Sequence, residues 1–486
     1  MDVLIFGTGK TFEGLKFSRK VNIVAFLDNN EAKIGTTLRG APVVHPRDVH
    51  NFRYDYIILA SNFYHVMGEQ LKSYGINEEV LVPVYLLAQK DKARNLGIIG
   101  SSISAEFRGL SLNCVQKVFS VCAHYFKRMR LRNNYIVYIC HWGQKYNCNP
   151  KAIYEYLIYN KPDYKHIWVF GDLKLSKPVP SVPDGKARFV KYKTLRYLYY
   201  LCVSKYWIIN VNPPKKTDIE QECASLLRPE TTVLQTWHAA GAFKKFGVHI
   251  GAENFRYDHI LCSSEAVRDI YAEALCADKN SVKTIGLPRA DVLVKRELHQ
   301  EIRSQVCLKY AMDSNKKTLL YAPTFRDSPD FKLQFSLERM RDILGPQWQI
   351  MLRFHHEIKS SSLLESLENF VFDVSEEDDA NPFLILADAL VTDYSSIVFE
   401  YALLDRPIIF YAYDLDSYID VRKFYFGYEG FVPGPIAKTE EELYALLEDI
   451  GEVHEKYGEQ ISDFANKYMS PSDGNACRRV VELLGL

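Results

Sequence analysis

Several residue groups that handle phosphates or move protons stand at the ends of apolar runs. Asp393-Tyr394-Ser395-Ser396 follows the apolar run 389–392, and residues 397–404 after it are apolar at helical spacing. A second apolar run, 407–411, completes a strand-turn-helix-strand unit of about 30 residues, the size of a βαβ crossover. In an open parallel sheet such a turn lies beyond a strand's carboxyl end, where ligands bind. The free N–H groups of a first helical turn and the hydroxyls of Ser395 and Ser396 suit a phosphate there. The same residues fit a plain helix cap with a turn aspartate, and local sequence leaves both readings standing. His238 ends another apolar run and is followed by a Gly-containing turn with Lys244 and Lys245. A histidine so placed either takes a proton from a hydroxyl near neutral pH or serves structure alone. His355, flanked by Arg353 and His356, and Arg326, after TLLYAPTF, also follow apolar runs. Arg326, His355, Asp393 and the Ser395-Ser396 hydroxyls fall at strand ends along one edge of a single predicted sheet, so they should converge.

The elements needed to carry these residues are legible. From residue 135, YIVYI, NPKAIYEYLI, HIWVF, TLRYLYYLCV and YWIINV alternate strand with helix, and strands continue in 233–247, 257–264 and 281–293. A further sheet opens at TLLYAPTFRD and takes in WQIMLRFHHEI and the serine turn. Two Rossmann-like lobes facing one cleft account for the chain from about 135 onward. At the other end, strands at 2–6, 22–27 and 54–61 predict a small Rossmann-like module ending near residue 95. Gly7, Gly9 and Asp28 stand where a dinucleotide site would have them, but Gly14 comes later than the third glycine should. A structural or docking role is therefore expected, with nucleotide binding the alternative. Between module and lobes, Val115, Val118, Phe119, Cys122, Tyr125, Phe126 and Met129 share one helical side, and Lys127, Arg128, Arg130 and Arg132 make a basic end. Such a stretch lies on an anionic membrane surface or packs as a linker helix.

Composition narrows the classes. The 486 residues suit two to four domains, and 60 basic against 60 acidic residues leave no field for nucleic acid. No apolar run approaches the roughly 18 residues of a membrane span, and no signal peptide is expected at the start. The 10 cysteines include no C-x-x-C pair, which points to reduced thiols in a cytosolic protein. No D-x-D-like pair clearly demands a metal, although Asp414 and Asp416 keep that open; the expectation is no metal and no cofactor.

Taken in order, YNCNPKAIYEYL, QTWHAAGAFKKFG, GLPRADVL, LYAPTFRD, LRFH, VTDYSSIVFEYALLDRPIIFYAYDLDSY, PGPI and DGNACRR bring a family into view. Over residues 135–480 the chain resembles the CDP-glycerol glycerophosphotransferases that build teichoic acids and related polymers. The resemblance implies a GT-B pair of lobes, 135–300 for the acceptor and 301–486 for the CDP-linked donor. Ahead of them would lie the module 1–95 and a linker with the basic helix, 96–134. That module resembles, through FGTGK, FLDNN and RGAPVV, Rossmann-like domains preceding sugar-modifying enzymes of bacterial surface polysaccharides. By position, His238 matches the family's first essential histidine, expected as general base, and His355 the second, expected on the transferred phosphate. Arg326, Asp393, Ser395 and Ser396 match the donor-holding motifs, with Lys244 helping on phosphates. The implied partners are CDP-glycerol or CDP-ribitol, a polymer or lipid-linked acceptor, and an anionic membrane at the cytoplasmic face. A departure concerns the acceptor side: the commonest form has glycine directly after the first histidine, where this chain has Ala239-Ala240 and then Gly241. The competing readings are a GT-B glycosyltransferase using a nucleotide sugar and an inactive assembly module.

Overall fold

The computed structural model describes residues 2–8, 21–60, 64–77, 80–83, 112–161, 163–176, 179, 187–211, 226–250, 255–324, 333–354, 367–421 and 423–486. They divide into two units, Met1–Leu110 and Ser111–Leu486. In the first, β1 (Asp2–Phe6), β2 (Asn22–Leu27), β3 (Thr37–Leu38), β4 (Ala41–Val44), β5 (Tyr56–Leu59) and β6 (Leu81–Pro83) line up as β3-β4-β2-β1-β5-β6. Every neighbouring pair is parallel except β3–β4. Side chains alternate across a strand, so Val3 and Ile5 enter the core on one face while Leu4 and Phe6 enter the core on the other.

The second unit holds two parallel sheets. The first contains β7 (Arg132–Ile139), β8 (Lys165–Phe170), β9 (Ala187–Lys191), β10 (Ser204–Ile209), β11 (Thr232–Gln235), β12 (His259–Leu261) and β13 (Val282–Lys283), ordered β13-β12-β11-β10-β7-β8-β9. The second contains β14 (Lys317–Ala322), β15 (Trp348–Leu352), β16 (Val371–Asp373), β17 (Ala389–Thr392), β18 (Ile408–Tyr411) and β19 (Ile436–Ala437), ordered β16-β15-β14-β17-β18-β19. In the first, the chain runs outward from β7 through β8 and β9, then returns to β10 on the other side. In the second it does the same about β14, returning at β17. Adjacent loops diverge at each reversal and leave a crevice beyond the strand ends. These are the paired Rossmann-like lobes of a GT-B arrangement, as expected from the alternating pattern.

One apolar cluster joins the lobes. It runs from the seven-stranded sheet to Leu320, Met351, Leu390 and Phe410 on one face of the six-stranded sheet. Leu319, Tyr321, Ile350, Val391 and Ile409, pointing the other way, build a separate core. Across the cleft Phe243 stacks on Phe424 and Phe431 at 5.0 and 5.2 Å between centroids. The backbones also pair there: Lys245 N donates to Lys423 O at 2.9 Å and Tyr425 N to Phe243 O at 3.0 Å.

The amphipathic stretch is the helix Leu112–Arg128, packed on Leu195–Val203 through Phe126 and Tyr199 at 5.4 Å. Arg132, expected in its basic end, instead opens β7. Asn133 and Asn134 are poor helix formers, and Ile136 and Val137 recruit the chain into the sheet. The last helix, Ala476–Leu484, returns to the first lobe, where Asp291 caps it with both oxygens, each 2.9 Å from the main-chain N–H of Ala476 or Cys477. The GLPRADVL and DGNACRR motifs are therefore two halves of one joint. Removing a buried charged acceptor costs about 1.5–3 kcal/mol. Asp291→Ala is expected to lower stability by about 2 kcal/mol, read as an earlier urea midpoint; an unchanged midpoint refutes the joint.

Candidate active site

On the seven-stranded sheet, the loops after β7, β10 and β11 deliver His141, Asn210 and His238. Asn210 is fully buried and holds both histidines. Its side-chain oxygen accepts from the His141 main-chain N–H at 2.9 Å, and its carbonyl lies 3.1 Å from His238 Nδ1. A carbonyl can only accept, so in the neutral ring Nδ1 carries the proton and Nε2 keeps a lone pair. The two imidazole centroids are 5.5 Å apart. Burial pushes His238 down to about 4, against the hydrogen bond to Asn210 and helped by the Arg289 charge. Burial, then His238, Lys145 and Arg289, push His141 down to about 3. Both rings are neutral at pH 7.

The turn carrying His238 is clamped from behind. The Tyr271 hydroxyl reaches both Ala239 O and Gly241 O at 2.9 Å, and Gly241 N donates to Ser263 Oγ at 3.3 Å. Gly241 has φ +59°, and a Cβ there would come within 2.2 Å of the Phe399 ring. The displaced glycine thus marks the point where this turn passes under the other lobe.

Arg289 connects the lobes. Its Nη1 donates to His238 O at 2.7 Å, while Nε and Nη2 grip both Glu400 oxygens at 2.6 and 2.8 Å. The pair is 15% and 7% exposed. Glu400 sits on the helix Ile397–Ala402, directly after Ser395 and Ser396. Two side chains largely shielded from water therefore set the histidine turn relative to the serine turn.

On the six-stranded sheet Asp393, 1% exposed, ties the two loops of the reversal. Its Oδ1 accepts from Thr324 N at 2.8 Å and from Tyr394 N at 2.5 Å. Lys244 comes from the opposite lobe to donate to Thr324 Oγ1 at 3.4 Å and lies 5.4 Å from the Tyr418 ring centroid. Ser395 Oγ accepts from Ile397 N at 3.4 Å, and Ser396 occupies the cap position without a side-chain cap bond; both are half-buried. Asp414 accepts the Tyr394 hydroxyl at 2.9 Å.

The structure thus joins Lys244 and Asp393 through Thr324, sets Ser395 and Ser396 on the turn that Asp393 opens, and places His238 on the other lobe. Arg326, His355, His356 and Gly9 lie outside the described residues. In the first unit Asp28 accepts from the Thr8 hydroxyl and from Asn30 N at 3.0 Å, with Lys33 at 3.6 Å. Gly7 has φ +100°, where a Cβ would sit 3.0 Å from Ala60 O. Sequence reasoning passed over His141, Asn210, Arg289 and Glu400. Arg289 and Glu400 stood inside GLPRADVL and VTDYSSIVFEYALL, and His141 follows its strand much as His238 follows β11.

Comparisons with known proteins agree with this architecture. The family described as CDP-Glycerol:Poly(glycerophosphate) glycerophosphotransferase matches residues 121–485, and that described as C2185-like, N-terminal matches residues 1–82. A teichoic acid poly(glycerol phosphate) polymerase of Staphylococcus epidermidis is 31% identical over 72% of this chain, which spans 50% of that relative. A teichoic acid glycerol-phosphate transferase of Staphylococcus aureus is 30% identical over 73% of this chain and 94% of its own length. The solved structure of the wall teichoic acid polymerase TagF superposes with a TM-score of 0.68 at 29% identity, covering 77% of this chain and 94% of that one.

Unpairing one member of a buried ion pair costs roughly 3–5 kcal/mol, whereas an exposed pair is worth under about 1. Glu400→Gln is therefore expected to lower stability by about 3 kcal/mol in urea unfolding, and Glu429→Gln, which breaks the surface pair with Lys438, by well under 1. Equal losses from the two would overturn the special standing of Arg289–Glu400.

Proposed function

We propose that this chain, which belongs to the CDP-glycerol:poly(glycerophosphate) glycerophosphotransferase family, moves glycerol phosphate from CDP-glycerol to a hydroxyl of a polymer or lipid-linked acceptor, releasing CMP. The observation that most supports the reading is His238: a neutral imidazole, its tautomer set by Asn210, at a strand end beside the cleft. Its Nε2 takes the proton as the acceptor oxygen attacks phosphorus. The new P–O bond forms in line as the bond to the CMP oxygen breaks, and CMP leaves with those electrons. Positioning and charge stabilisation carry most of such a step. Lys244, Ser395 and Ser396 hold the donor phosphates, and Asp393 fixes the loops around them. Arg326 and His355 are assigned to the pyrophosphate and the transferred phosphate on the resemblance of their motifs. CDP-ribitol is the alternative donor, and incubation with CDP-glycerol, CDP-ribitol and nucleotide sugars separates these readings by the nucleotide released. Release of a nucleoside diphosphate from a sugar donor, with no CMP, would overturn the phosphotransferase reading.

The protein works, on this reading, at the cytoplasmic face of the membrane. On the helix Leu112–Arg128, Tyr125 does not share the packed side of Phe119 and Phe126 as expected but turns outward with Val121, 64% and 70% exposed, close in sequence to Arg128 and Arg130. Among the described residues no helix is long and apolar enough to cross a membrane. An outward apolar pair with flanking basic residues suits an anionic lipid surface.

Two outcomes are expected. His238→Ala should lower turnover by about 10²–10⁴-fold, the range of general acid–base contributions, with donor affinity little changed. Because His238 protonates only near 4, the acid limb of the wild-type kcat/KM profile should fall near pH 4–5 rather than 6.5; a limb at 6.5 refutes the assignment. Reversing the charge of Arg128, Arg130 and Arg132 should release the chain from phosphatidylglycerol vesicles, and undiminished co-sedimentation counts against membrane docking.

A further inference from the structure

His141 has been given no part in the transfer. Its backbone is held in an unusual shape: His141, Trp142 and Gly143 follow one another at φ 44°, 53° and 78°. Left-handed conformations at non-glycine residues cost about 1–3 kcal/mol each and persist where the surroundings over-determine them. Here the surroundings do. Asn210 accepts from the His141 N–H at 2.9 Å, Gly143 N donates to Cys140 O at 2.8 Å, and Gly171 N donates to Gly143 O at 2.8 Å. A Cβ on Gly143 would sit 3.0 Å from both Gly171 N and Val169 O, so the loop is pressed against the neighbouring strand end.

What this strain achieves is a second imidazole beside the proposed base. The ring of His141 lies 5.5 Å from that of His238, tilted by 59°. One buried residue, Asn210, positions both, by its side chain for one and its carbonyl for the other. Among the described residues neither ring nitrogen of His141 makes a hydrogen bond. Held neutral by burial and the nearby cations, the ring offers one donor and one acceptor, the set a hydroxyl needs.

We propose that His141 binds the acceptor's terminal polyol, gripping the hydroxyl adjacent to the attacking one, so that the attacking oxygen is presented to Nε2 of His238. Two hydrogen bonds of about 2.8 Å to neighbouring oxygens of a diol fit ring centroids at this spacing. His141 neither gains nor loses a proton; it selects and orients. The inference rests on the proposed transfer reaction and adds a specificity determinant for its acceptor.

The test compares acceptors ending in glycerol phosphate with acceptors ending in 3-hydroxypropyl phosphate, which lack the adjacent hydroxyl. A site built to hydrogen-bond a hydroxyl rejects an analogue without it, so the full-length wild type should favour the diol by at least about 10-fold in kcat/KM. His141→Asn, whose side chain tolerates the left-handed backbone but is shorter, should abolish the preference while leaving KM for CDP-glycerol within about two-fold. His141→Gln, with longer reach, should restore part of it. A variant that turns over more slowly with the preference intact shows a merely structural role and overturns the inference. A raised KM for CDP-glycerol with both acceptors equally affected overturns it in favour of a donor contact. Absence of CMP release from the wild type overturns the transfer reading and this inference together, whereas release without discrimination between acceptors overturns the inference alone.

Discussion

The relative placement of the two lobes depends on a guanidinium–carboxylate pair. Arg289 and Glu400 are gripped bidentately and nearly closed to water, a geometry in which the planar fork of arginine leaves little freedom of angle. Taking two charges out of water is expensive, so the pair is better read as setting geometry than as adding net stability. What it sets is specific. The same guanidinium holds the His238 carbonyl, and Glu400 rides the short helix that starts at the serine turn. Apolar packing around Phe243, Phe424 and Phe431 brings the surfaces together, but such contacts tolerate sliding. The ion pair removes that tolerance where phosphate and proton transfer need it least.

Strand order explains why the polar residues gather at all. In both parallel sheets the chain begins centrally, builds to one side and returns to the other. The loops of the two central strands diverge, and each divergence is spanned by one buried polar side chain. Asn210 bridges to the loop after β7, and Asp393 bridges to the loop after β14. Both are fixtures of the crevice more than free ligand groups. The half-buried positions around the site are left to His141, His238, Ser395, Ser396 and Lys244.

Much of this is legible in the amino-acid sequence. The strands at 22–27 and 389–392 coincide with expectation to the residue, because buried parallel strands read as short apolar runs ended by turn residues. The serine turn and His238 were legible for the same reason: polar residues directly after such runs lie on the ligand edge. Asn210 escaped because an asparagine after a strand resembles any turn residue, and its importance comes from two partners in distant loops. Arg289 and Glu400 escaped because ion pairing 111 positions apart leaves no periodicity in the chain. Arg132 went to a strand rather than the helix because the sheet's demand for Ile136 and Val137 reached back past the helix end. Gly241 looked like a departure near the acceptor; in the fold it is also a clearance for the Phe399 ring.

The joint between Asp291 and the last helix bears on how the protein is made. Asp291 and Cys477 are 186 positions apart, and the helix that follows Asn475 packs on the first lobe's helix Cys148–Asn160, with Cys477 against Ala152 O. At about 5–20 residues per second, a ribosome adds the missing stretch in roughly 10–40 seconds. Through that interval the first lobe has its strands but lacks one of its covering helices, and the apolar surface beneath is bare. The lobe that emerges first can therefore finish folding only after the second has been synthesised.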